Sequence, residues 1–203
     1  MKNQVIVIHG GDSFDNYRDY LKFLRSWKIN FDDYIQNRAG WKKNLAKKLG
    51  KDFQVILPNM PNSFNAKYSE WKIWFDKFVP YFKSGVIMVG HSMGGIFLAK
   101  YLSENKLSKK VKAVFLIAAP YDDKDSEYSL VDFILPKSLK KLEQQAGKIF
   151  IYQSKEDPVV PFADFGKYQK SLKNSIGRVF LGRGHFNQED FPELIRDIKG
   201  LYK

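Results

Sequence analysis

The run Val86-Ile87-Met88-Val89-Gly90-His91-Ser92-Met93-Gly94-Gly95-Ile96 constrains this chain more than any other. Four apolar residues lead into Gly-x-Ser-x-Gly, and apolar residues at helical spacing continue to Leu102. That order predicts a buried strand, a very tight turn and a helix. A turn this tight lifts the serine side chain out at the strand's carboxyl end and crowds its neighbours. Residues without a Cβ relieve the crowding, which accounts for Gly90, Gly94 and Gly95. The missing Gly-Lys-Ser/Thr ending argues against a phosphate loop.

The rest of the sequence repeats the pattern of strand then helix. Strands are expected at residues 4–8, 53–57, 86–89, 111–118, 148–153 and 178–181. Helical spacing is expected within 12–35 and over 38–49, in the aromatic stretch of Trp71, Trp74, Phe75 and Phe78, and over 138–146, 162–172 and 190–202. Ser63 or Asn65 is the expected cap of the aromatic helix, and Gly50 and Gly147 are expected helix stops. Such alternation implies an α/β chain with a mainly parallel six-stranded sheet and helices on both faces. Ligands of such sheets sit beyond the strands' carboxyl ends, and the chemistry-bearing motifs of this chain all fall at such ends. No repeat or domain boundary is evident across residues 1–203. Residues 121–135 read as a loop with a short lid.

Composition removes several function classes. There is no cysteine, so disulfides, thiolate metal sites and a cysteine nucleophile are excluded. No apolar run reaches the roughly 20 residues that span a bilayer. The start reads as a buried strand rather than a leader, so a cytoplasmic location is expected. The formal charge is +12, but the lysine pairs are scattered along the chain. They read as a solvated surface and not as a specific nucleic-acid site.

A serine hydroxyl needs a base. Of the three histidines, His9 lies in the first-strand loop and His91 is next to Ser92, so its side chain points to the opposite face. His185, in Gly182-Arg183-Gly184-His185-Phe186, follows the last strand and is the expected base. The carboxylate that orients it is expected to be Asp157, in the Pro-bounded loop after the fifth strand. Glu156 is the near alternative, and Asp122 and Asp123 the far ones. The N–H groups of Met93 and Gly11 are the expected oxyanion donors.

His-Gly-Gly, Gly-His-Ser-Met-Gly-Gly, Asp-Pro-x-Val-Pro and Gly-His-Phe, in that order, resemble an α/β-hydrolase. Asn59-Met60-Pro61 and Ser69-Glu70-Trp71 sharpen the likeness to the small serine hydrolases resembling retinoblastoma-binding protein nine, the YdeN-like group. The resemblance implies a compact hydrolase domain, a Ser92–Asp157–His185 triad and no metal or organic cofactor. It also implies a small-molecule acyl substrate, with a carboxylic ester or thioester favoured. The alternatives are an aminopeptidase-like amidase on small aromatic substrates and a non-catalytic binding protein on the same scaffold. The chain departs from that group at about residues 12–37, an aromatic helical insertion expected to cover the active site.

Overall fold

The computed structural model describes residues 2–36, 40–124, 126 and 128–203. Six strands form one sheet: β1 (Asn3–Ile8), β2 (Phe53–Ile56), β3 (Val86–His91), β4 (Val111–Ile117), β5 (Ala146–Ser154) and β6 (Ile176–Phe180). Their order is β2-β1-β3-β4-β5-β6, and every pairing is parallel. The central strands are continuous apolar runs because both faces are covered. Alternate residues serve the two faces. Val5, Val7, Ile87, Val89, Phe115 and Ile117 pack under α3 (Trp41–Leu49) and α8 (Pro192–Gly200). Ile6, Ile8, Met88, Val114 and Leu116 pack under α4 (Tyr68–Asp76), α5 (Met93–Glu104), α6 (Lys140–Gln145) and α7 (Ala163–Ser171).

The aromatic stretch shares one broad face of α4, and burial divides it. Trp71 and Phe75 are fully buried, whereas Trp74, at the edge of that face, is exposed. The insertion after β1 contains α1 (Tyr17–Ser26) and α2 (Phe31–Gln36). Its expected end at residue 37, and the first two residues of the expected 38–49 helix, lie outside the described residues, as do residues 125 and 127 of the expected lid.

Two expectations about helix ends are corrected. Residues Ser63–Asn65 form their own 3-10 turn, and neither caps α4. The cap comes from Asp132, whose Oδ1 accepts the Tyr68 N–H at 2.7 Å and whose Oδ2 accepts the Ser69 N–H at 3.1 Å. A carboxylate there satisfies two orphan donors and faces the positive end of the helix dipole. Asp132→Ala is expected to lower unfolding free energy by about 1–2 kcal/mol in urea titration; an unchanged midpoint would remove this role. Gly147 does not stop a helix. It lies within β5, where a Cβ would come 2.7 Å from the Lys112 carbonyl oxygen.

Candidate active site

The β3–α5 junction forms the tight turn that the glycines require. Ser92 holds φ 55° and ψ −125°, a region that L-residues rarely occupy. Its N–H is tied to the Ile117 carbonyl of the neighbouring strand at 2.8 Å. A Cβ on Gly90 would strike the Gly94 carbonyl, and one on Gly94 would strike the carbonyls of Ile8 and His9. The first turn of α5 is thereby pressed against the end of β1, and a Cβ on Gly10 would stand 3.1 Å from that of Ser92.

His185 lies in the turn after β6, and Asp157 in the loop after β5. Nδ1 of His185 is 3.0 Å from each Asp157 carboxylate oxygen. The Asp157 side chain is fully buried. Its Oδ1 also accepts the N–H groups of Val159 and Val160, at 2.9 and 3.0 Å, and its Oδ2 the Gln153 amide at 3.2 Å. A carboxylate only accepts, so Nδ1 carries the proton and Nε2 keeps a free lone pair. The alternative carboxylates are engaged elsewhere. Glu156 accepts from the Gly182 N–H and the Ser154 hydroxyl, Asp122 pairs with Lys167, and Asp123 accepts the Leu130 N–H.

The other two histidines prove to be structural members of the same region. His91 Nε2–H donates to the carbonyl oxygen of His185 at 2.7 Å, and the two rings are 4.9 Å apart. Trp41 donates its indole N–H to the next carbonyl, that of Phe186, at 2.8 Å. Helix α3 and strand β3 thus hold the His185 turn from two sides. His9 donates from Nδ1 to the Gly10 carbonyl at 2.6 Å and accepts the Met60 N–H at Nε2. That bond fixes the plane of the peptide whose N–H belongs to Gly11. Neither role is visible in the sequence: His91 reaches the distant His185 carbonyl, and His9, though it bonds its neighbour Gly10, is oriented by the distant Met60 N–H. The adjacency of His91 to Ser92, which disqualifies it as a base, is the one signal that placed it nearby.

Both histidines are held neutral. Burial lowers the pKa of His91 well below its ordinary value, and the charges of Lys42 and His185 add to this. Burial likewise lowers that of His9. Below the ordinary value of 6.5 the unfolded chain therefore binds protons that the folded chain refuses. Stability is unaffected by these groups above that pH and is lost as pH falls below it. For His91 the slope should approach about 1.4 kcal/mol per pH unit. Urea midpoints should decline between about pH 6.5 and about pH 5, less steeply for His91→Gln; a flat profile would contradict this.

A cavity of about 660 Å³ opens over Ser92. Gly11 and Met93 border it beside the serine. Asp12, Phe14, Asp19, Lys22, Phe23 and Ser26 form one wall, and Tyr128, Ser129 and Leu130 another, with Val159 and Val160 at the edge. Both the insertion and the 121–135 loop therefore border the space. Ser13 donates to the Ser129 carbonyl at 2.5 Å, and Ser129 to Asp15 at 2.7 Å, joining the two walls at their roots. Among the described residues no group of three or more His, Cys, Asp or Glu side chains could hold a metal ion.

The family model described as "Serine hydrolase" matches residues 35–193, a span that begins after α1. The serine hydrolase RBBP9 of Rattus norvegicus is 28% identical over 165 residues, covering 80% of this chain and 84% of that protein. Among solved structures, the ydeN gene product of Bacillus subtilis superposes with a TM-score of 0.72 at 17% identity, covering 99% of both chains. A YdeN-like hydrolase of Pectobacterium atrosepticum gives 0.61 at 15% identity, covering 98% of this chain and 90% of that one.

Proposed function

Because the chain belongs to the serine hydrolase family, we propose that it cleaves a small carboxylic ester or thioester at Ser92, as one α/β-hydrolase domain with a covering insertion. The observation that carries this reading is the pairing of His185 with the buried Asp157, in a turn held by the residue that precedes Ser92.

The Ser92 hydroxyl attacks the acyl carbon while Nε2 of His185 takes its proton. The carbonyl π electrons move onto oxygen, and the N–H groups of Met93 and Gly11 receive that oxyanion. The carboxylate of Asp157 stabilises the imidazolium through Nδ1–H. As the tetrahedral intermediate collapses, the bond to the leaving oxygen or sulfur breaks and His185 protonates it. Water then attacks the acyl-serine with His185 again as base. The acid leaves and Ser92 regains its proton.

A second reading, an amidase acting on small aromatic aminoacyl compounds, is favoured by the mixture of carboxylates and aromatic rings in the cavity wall: Asp12, Asp15 and Asp19 with Phe14 and Phe23. Purified protein tested against ester, thioester and aminoacyl-amide panels, with Ser92→Ala as background, separates the two. Turnover confined to amides would replace the first reading by the second. Absence of turnover, together with no labelling of Ser92 by a fluorophosphonate, would leave a binding protein.

A further inference from the structure

We infer that the outward face of the α1 segment docks on an anionic lipid surface. Helix α1 is sharply two-sided. At about 100° per residue, Tyr17, Tyr20, Leu21, Leu24 and Trp27 fall within one arc, with Asp19, Lys22 and Ser26 opposite. Such a helix ordinarily turns its apolar stripe toward the core. Here Asp19, Lys22 and Ser26 border the open cavity, and of the apolar arc Tyr20 and Leu21 are only half-buried. No residue of α1 is buried. Tyr17, Leu24 and Trp27 stand exposed, and the exposure continues through Ile29, Phe31 and Ile35, these six being 42–70% accessible.

The helix is nevertheless built in. Phe14 packs on Tyr20 and Phe23, at 5.7 and 5.0 Å between ring centres, and Phe23 on Trp27 at 5.1 Å. Lys67 donates to the Phe14 carbonyl, and the Asn16 side chain caps the first turn. An ordered helix with its apolar side in water calls for a cover, and charge identifies it. The acidic groups Asp12, Asp15 and Asp19 lie on the cavity side, and Asp32 is an exposed acid beside Phe31. Arg18, Arg25 and Lys28 are exposed along the apolar stripe, on a chain carrying +12. An exposed tryptophan among aliphatic residues, edged by cations, matches the headgroup boundary of an anionic bilayer. A second copy of the chain fits poorly, because it would bring two faces that both carry Arg18, Arg25 and Lys28 together.

One consequence rests on the hydrolase reading: docking would place the rim of the Ser92 cavity at the lipid surface, within reach of lipid-dissolved esters. The docking itself needs no turnover, and its test reads none. The full chain is floated with phosphatidylcholine vesicles, with and without about 30% phosphatidylserine, at about 0.1 M salt. Binding is expected to be at least about tenfold stronger to the anionic vesicles and to be released near 0.5 M salt. Leu24→Ser/Trp27→Ser and Arg18→Glu/Arg25→Glu should each lose about tenfold or more, with circular dichroism and thermal midpoints unchanged. No preference for anionic vesicles, or equal binding by folded variants, would overturn the inference. So would a wild-type dimer that Leu24→Ser/Trp27→Ser dissociates, since that would assign the face to a second copy.

Discussion

Ser92→Ala is expected to reduce kcat by about 10⁵–10⁶-fold and to abolish fluorophosphonate labelling, because it removes the hydroxyl proposed to carry the acyl intermediate. The loss should appear in kcat with little change in KM for a slowly reacting substrate, since the cavity walls are untouched. Stability should hardly change. The Ser92 backbone is strained at φ 55°, and alanine inherits the strain. Ser92→Gly removes both the nucleophile and the strain, so it should unfold about 1 kcal/mol later than Ser92→Ala in urea. Turnover surviving in Ser92→Ala at more than a small fraction of the wild type would dismiss Ser92 as the nucleophile.

Asp157→Asn should lower kcat by about 10⁴-fold. The amide oxygen can keep the N–H groups of Val159 and Val160, which leaves the amide NH₂ facing His185. A donor there forces the lone pair onto Nδ1 and the proton onto Nε2, the atom proposed to receive the serine proton. The variant should therefore fold and bind yet fail in proton transfer. Glu156→Gln and Asp122→Asn should stay within a few-fold of the wild type, because their carboxylates bond to Gly182 and Lys167 instead. Measured pH–rate profiles give the decisive comparison: activity intact in Asp157→Asn, or lost in either control, would move the acid elsewhere.

The legible parts of the structure were those written in short-range pattern. The β3–α5 turn could be read because its glycines and its serine are contiguous. The apolar strand runs followed from burial on both sheet faces, and strand and helix limits shifted by only a few residues. The pairing of Asp157 with His185 was accessible through motif order and the rigid loop between two prolines. What escaped depended on contacts between distant residues. Asp132 caps α4 across 64 positions, and no local signal at Ser63 or Asn65 could reveal that a better acceptor would arrive. Gly147 looked like a helix stop because its real reason, the Lys112 carbonyl against β5, lies on another strand. His9 and His91 could be set aside as bases, but their bonds to Met60 and His185 required the fold. The helical period of α1 was plain, yet periodicity says which residues share a face and not which way that face turns.

The two walls of the cavity differ in what a mutation would put at stake. Asp132, a few residues beyond Leu130, pins one wall to α4, so change there threatens folding as well as catalysis. No residue of α1 is fully buried, so its replacement is expected to leave the sheet and its covering helices intact. Lineages that diversify their substrates should therefore vary along α1 while conserving the loop around Asp132, and a library confined to α1 offers directed evolution a route to new selectivity with few casualties.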